Sequence, residues 1–126
     1  MDALAPYLIT LGRLLLAPVF LQSGISKIFD YAGTRALMEA HGLPGILLVP
    51  TVALELLAGI GILLGLWTRC AALALAIFCV VAAVVFHLDF GDRMQTIQFL
   101  ENVAMAGGLL ALAGAGSGAF ALDNRR

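Results

Sequence analysis

Residues 46–66 read ILLVPTVALELLAGIGILLGL, and the one ionisable residue in that run is Glu55, close to its centre. About 20 consecutive apolar residues wound as a helix match the ~30 Å hydrocarbon thickness of a bilayer. The run therefore predicts a membrane-spanning helix that carries a carboxyl group at mid-depth. Upstream, a second apolar run extends from about Ala5 to Phe29, broken by Arg13, Gln22 and Lys27 and carrying Pro18, whose missing N–H membrane helices tolerate. Downstream, Trp67, Thr68 and Arg69 form so short a turn that spans two and three must be antiparallel neighbours. The third span runs from about Cys70 to His87, HLDFGDR makes a turn, and the fourth runs from Met94 until it fades in AGAGSGA at 113–119. The spans expected are thus about 5–29, 46–66, 70–87 and 94–115. Between the first two lies DYAGTRALMEAHGLPG, in which Thr34 can cap and Gly42 with Pro44 can stop a short interfacial helix over Thr34–His41. The fold class is all-α: an integral membrane four-helix bundle with that short helix between spans one and two.

Composition agrees. Of 126 residues, 62% are hydrophobic and 12% charged, whereas a soluble domain carries roughly 25–35% charge on its surface. Four spans of about 20 residues leave about 46 for tails and turns, so a fifth does not fit. The chain shows no internal repeat and no second domain, and is read as a single domain over 1–126. A net charge of −1, with seven Lys and Arg scattered singly, excludes a nucleic-acid partner. The start MDALAPYLIT lacks a basic n-region, so the first helix is expected to be retained. Cys70 and Cys79 would stand about 13 Å apart on one helix, too far for a disulfide. Arg69, Arg125 and Arg126 on one side balance Lys27, Arg35 and Arg93 on the other, and Arg13 tips the count toward cytoplasmic termini. The tail ALDNRR is expected to be cytoplasmic or loosely ordered.

Charged groups at the bilayer centre cost about 2.5–3.5 kcal/mol on insertion scales, so each should face the bundle or a wet cavity. Arg13 and Lys27 fall about 40° apart around span one, on a stripe with Ala17, Phe20 and Gly24, while Gln22 and Ser26 take roughly the opposite side. Glu55 and Asn102 share a depth of about 12–14 Å if both enter from one membrane face, and Asn102 continues a stripe with Gln95, Gln98 and Ala106. Arg13, reaching about 12 Å in from the other face, is expected to pair with Glu55. Lys27, His87 and Gln98 are expected to form a mouth above Glu55 and Asn102. Each of these residues also has a plain structural reading: Glu55 as a helix-locking partner of Arg13, Asn102 and Gln98 as interhelical hydrogen-bonding groups, Lys27 and His87 as interfacial residues. A metal site has no support, since there is no Cys/His cluster or HExxH spacing, and two histidines do not make a haem pair. Without CxxC, thiol exchange in the membrane has none either.

The order Arg13, Phe20, Gly24 and Lys27 in RLLLAPVFLQSGISK, then HGLPG at 41–45, Glu55 with Gly59 in ELLAG, His87, and QFLENVAMAGG with Gln98 and Asn102, resembles the DoxX family. That resemblance implies a four-span protein of the bacterial inner membrane. The family takes its name from a subunit of a thiosulfate to quinone oxidoreductase, which points to an accessory or acceptor subunit of a membrane redox system. On this reading a polar-floored pocket binds an apolar carbonyl-bearing ligand such as a quinone. Glu55 and His87 are the candidate catalytic groups, and Arg13, Lys27, Gln98 and Asn102 the ligand-binding ones. The chain has no intrinsic cofactor in this scheme, so electrons must come from a redox partner protein. Two other classes stay open: a small proton-coupled carrier, which calls for a homodimer, and a non-catalytic scaffold for a soluble partner.

Overall fold

The computed structural model describes residues 2–125, and these form five α-helices without a strand. They are α1 (Ala5–Phe29), α2 (Tyr31–Ala40), α3 (Leu48–Leu64), α4 (Thr68–Phe86) and α5 (Arg93–Ala115). A 3₁₀ turn at Gly45–Leu47 leads into α3, and a second, Leu122–Arg125, lies in the tail. Four stretches are long and apolar enough to cross a bilayer: α1, Gly45–Leu64, α4 and α5.

Helix ends follow local chemistry. Gly42 (φ +82°) closes α2: its N–H donates to Glu39 O and that of Leu43 to Met38 O, the paired bonds of a Schellman motif. Gly65 (φ +72°) closes α3 in the same way, with Leu66 N–H on Gly61 O. Asp92 caps α5, its carboxylate accepting from Met94 N–H at 2.9 Å. The interfacial helix starts earlier than expected. Thr34 does not cap it, because its N–H and hydroxyl both bond back to Asp30 O, which places Thr34 inside the first turn and lets α2 begin at Tyr31.

The bundle closes as a ring in the order α1, α3, α4, α5, each helix antiparallel to its neighbours, with α4 packed chiefly on α5 and α1 on α3. Ala17, Ala58, Ala72, Ala76 and Ala106 alternate with Phe20, Ile62, Leu75 and Leu109 in the interior, so the helices approach closely. Large apolar side chains point outward instead: Leu15, Ile46, Leu57 and Ile77 are each more than half exposed. Water would not support such a surface; acyl chains do.

Candidate functional site

The two ends of the bundle are built differently. At one end the C-terminus of α1, the N-terminus of α3, the C-terminus of α4 and the N-terminal half of α5 surround a cavity of about 650 Å³. α2 lies across it, contributing Thr34, Leu37 and Met38 to its wall, and the His41 ring after α2 rests 4.8 Å from that of Phe86. Lys27, Glu55, His87, Gln98 and Asn102 all line this cavity, as do apolar Phe20, Phe78, Val81, Val85 and Met105.

Glu55 is 1% exposed, and its Oε1 lies 2.6 Å from Lys27 Nζ, out of line for a directed hydrogen bond. Lys27 also donates to Ser23 Oγ, one turn back, at 2.7 Å. Gly24 makes the pair reachable. A Cβ there would sit 2.8 Å from Leu56 Cδ2 and 3.5 Å from Glu55 Cβ, so the missing side chain lets α3 press against α1 at the level of the carboxyl group. On α5, Asn102 Nδ2 donates to Gln98 O at 2.9 Å. At the α4 terminus, His87 Nδ1 stands 3.2 Å from Gln95 Oε1.

The expected Arg13–Glu55 pair is not formed. Gly24 packs against Glu55 and Leu56, and Gly59 against Phe20 and Leu21. The same antiparallel step sets Arg13 level with Gly65 and Leu66, about 15 Å along the axis from Glu55. The pairing requires the two helices to begin and end at matching depths, whereas the first turns of α1 run on past the end of α3. Arg13 is accordingly absent from the cavity wall and lies at the opposite end, 1% exposed. Its Nη1 donates to Ile62 O and Leu63 O at 3.0 and 3.1 Å, its Nε to Ser117 O at 2.7 Å, and its Nη2 to Ala119 O at 3.0 Å. One guanidinium thus caps the carbonyl end of α3 and ties it to the C-terminal tail.

The described part of that tail, up to Arg125, is folded across this end rather than loosely ordered, and Arg126 lies outside the described residues. Asp123 Oδ1 accepts from Trp67 N–H at 2.7 Å and Oδ2 from Thr68 N–H at 3.0 Å, so it caps α4, which has no side-chain cap of its own. Partial burial pushes the Asp123 carboxyl up, but hydrogen bonds from Ser117, the backbone of Thr68 and Trp67, and the Thr68 side chain outweigh it and hold the group at about 2. Arg69 Nη1 caps the end of α5 through Ala113 O and Gly114 O. Ala119 N–H donates to Pro6 O, which brings the tail against the start of α1 and puts both ends of the described chain on one side of the bundle.

Several polar residues of the cavity wall escape the sequence reading. Gln22, assigned to the opposite side of span one, lines the cavity with its neighbour Ser23, whereas Ser26 does not. Glu101 also lines it, with no ion pair or hydrogen bond of its side chain to any described residue. The signal for Glu101 was available: Gln98, Glu101, Asn102 and Met105 recur at i, i+3, i+4 and i+7, the spacing of one helix face. Among the described residues no three His, Cys, Asp or Glu side chains gather closely enough to hold a metal ion.

An α-helical bundle of four candidate spans, open at one end on a cavity floored by buried Glu55 and its half-buried partner Lys27 and closed at the other by its own tail, defines a class of small multi-pass membrane proteins. The chain belongs to the DoxX family, whose model matches residues 8–88, from α1 to just past the end of α4. It is similar to the inner membrane protein YqjF of Escherichia coli (strain K12), at 38% identity over 115 residues covering 91% of this chain and 88% of the relative. It is also similar to the inner membrane protein YphA of the same strain, at 33% identity over 130 residues covering 98% and 93%. No solved structure matches it. The matched stretch holds Lys27, Glu55 and His87, whereas Gln98, Glu101 and Asn102 lie beyond it.

Proposed function

We propose that this inner-membrane protein binds an apolar, quinone-like ligand in the cavity beneath α2 and serves as an accessory or acceptor subunit of a membrane redox system. The observation that carries the reading is the lining itself. A volume of about 650 Å³ suits a small-molecule site, and its wall combines aromatic and aliphatic residues with a few convergent polar groups. Phe20, Phe78 and Met105 would enclose the ring and the start of its tail, while Asn102, Gln98, His87 and Lys27 meet its oxygens and Glu55 relays a proton through Lys27. Electrons come from a redox partner protein, since this chain's own side chains offer no redox centre. Arg13 has no part in ligand binding on this view. Passage of a substrate across the bundle receives less support, because a carrier needs a route through the end where Arg13, Asp123 and Arg69 spend their hydrogen bonds closing the structure.

The test is mass spectrometry of the protein isolated gently from its own membrane, followed by titration with short-chain quinones. Co-purification of a quinone and saturable binding, weakened in Asn102→Leu, are expected. Protein that is folded, carries no quinone and shows no saturable binding would remove the proposal.

A further inference from the structure

We infer that the cavity opens sideways into the bilayer through a window between α1 and α5, so that its ligand is an amphiphile that enters from the lipid phase and leaves its apolar tail there. The inference deepens the ligand reading above and rests on it.

The ring of helices is not equally tight all round. α1 and α3 close on one another at Gly24 and Gly59, α4 and α5 share the most extensive seam, and α1 and α5 share the least extensive. Within that last seam the helices touch where Leu16 meets Gly108: a Cβ on Gly108 would lie 3.8 Å from Leu16 Cδ2, an ordinary van der Waals distance. Two turns along each helix toward the α2 end, the same stripes carry Ser23 on α1 and Glu101 on α5, because residues two turns apart fall about 20° from one another around a helix. The antiparallel run of the two helices sets Ser23 and Glu101 at one level. Both line the cavity, and among the described residues no hydrogen bond joins them; Ser23 Oγ accepts instead from Lys27 of its own helix. On the α2 side of Leu16 and Gly108 the seam therefore parts.

The lining shows which way the gap faces. The buried stripe of α1 holds Arg13, Ala17, Phe20 and Gly24, and Gln22 falls about 180° around the helix from Arg13, yet Gln22 lines the cavity. Val19 and Glu101 line it as well, and all three of these residues are exposed. A cavity confined to the bundle interior would not reach Gln22; one that runs out past the flank of α1 does. The water-facing end is roofed, since α2 packs on α1 and α3 and the His41 ring that follows it rests on Phe86 of α4. Glu101 lies about 12 Å along α5 from its start, so the window opens at acyl-chain depth and not among the headgroups.

Polar groups at that depth are costly unless they meet polar partners. An amphiphile supplies them: its head passes between Ser23 and Glu101 and comes to rest near Lys27 and Asn102. A volume of about 650 Å³ holds a ring and a short stretch of tail, so a longer tail must leave the cavity. Through the roofed end it would meet water, and through the window it meets acyl chains; removal of apolar surface from water selects the window. Val19 on α1 and Met105 on α5 give the tail its apolar exit.

The experiment uses the purified full chain in lipid nanodiscs and two probes: a benzoquinone without a tail, and the same ring with a long alkyl tail that carries a photoreactive diazirine a few carbons from the ring. On illumination, mass spectrometry should find adducts at Val19, Leu15 or Met105 and not at Leu37 or Met38 of α2, and excess of the same compound lacking the diazirine should suppress them. Val19→Trp, which narrows the window, is expected to weaken equilibrium binding of the long-tailed quinone about tenfold, or about 1.4 kcal/mol, with far less effect on the tail-less one. Adducts confined to α2, or a Val19→Trp protein that binds the two compounds in the same ratio as before, overturn the inference while leaving the ligand reading intact. Failure of both compounds to bind the folded protein overturns both.

Discussion

Lys27 and Glu55 hold opposite charges where water is scarce, so neither can be removed without stranding the other. Breaking a buried pair by deleting one member costs about 3–5 kcal/mol, whereas replacing both members by apolar side chains is often close to neutral. Lys27→Met is therefore expected to destabilise the bundle by about 3 kcal/mol, and Glu55→Leu added to it should restore most of the loss, as read by reversible unfolding in mixed micelles. The same cycle on Arg13 and Glu55 should show simple additivity, since the two groups share no partner and lie about 15 Å apart along the axis. The residue types needed at the cavity were legible from the cost of polarity in hydrocarbon, and Lys27, Glu55, His87, Gln98 and Asn102 do meet there. Which cation serves the acid was not legible. Two cations on one stripe of α1 are equivalent in a helical projection, and only the axial offset of α1 against α3, set by Gly24 and Gly59, separates them.

At the level of elements, every span was visible as a hydropathy run, and observed ends differ from expected ones by a residue or two because local caps decide them. The tail was not visible. ALDNRR has no periodicity, and its fold is dictated by unmet needs elsewhere: the open carbonyl ends of α3 and α5 and the uncapped start of α4. The one legible hint was the absence of a capping side chain just before Thr68, where Trp67 stands with φ +49°. Asp123 meets that need, and its stabilisation depends on pH in a defined direction. Its folded value of about 2 lies below the ordinary 3.8, so the contribution is complete above the ordinary value and disappears as pH falls from about 4 toward about 2. Asp123→Asn should lower stability at neutral pH and flatten the acid limb of the stability profile in that window; an unchanged acid limb would count against the clasp. Gly65→Ala tests the same clasp from the other side. A Cβ there would collide with that of Ala121 and would need φ +72°, so a loss of about 1–3 kcal/mol and faster proteolysis of the tail are expected.

For the whole molecule, the two unequal ends decide between binding a ligand and passing one. Backbone polar groups at helix ends must be satisfied in or near a membrane, and at the tail end the protein does this with the side chains of Arg13, Arg69 and Asp123. At the α2 end the polar groups line an open cavity instead. Water-borne reagents should then reach the cavity from one side of the membrane only. With Cys70 and Cys79 replaced by serine and alanine, single cysteines at Asn124, Asp89 and Thr51 report the tail end, the α4–α5 turn and the cavity wall. In sealed vesicles of defined orientation, a charged maleimide should label Asn124→Cys from one face and Asp89→Cys from the other. Thr51→Cys, half-buried and in the cavity, should react from the Asp89 face alone, and more slowly than Asp89→Cys because α2 covers the mouth. Labelling of Thr51→Cys from the Asn124 face would mean that the clasped end opens, and the molecule would then have the two-sided access that a carrier requires.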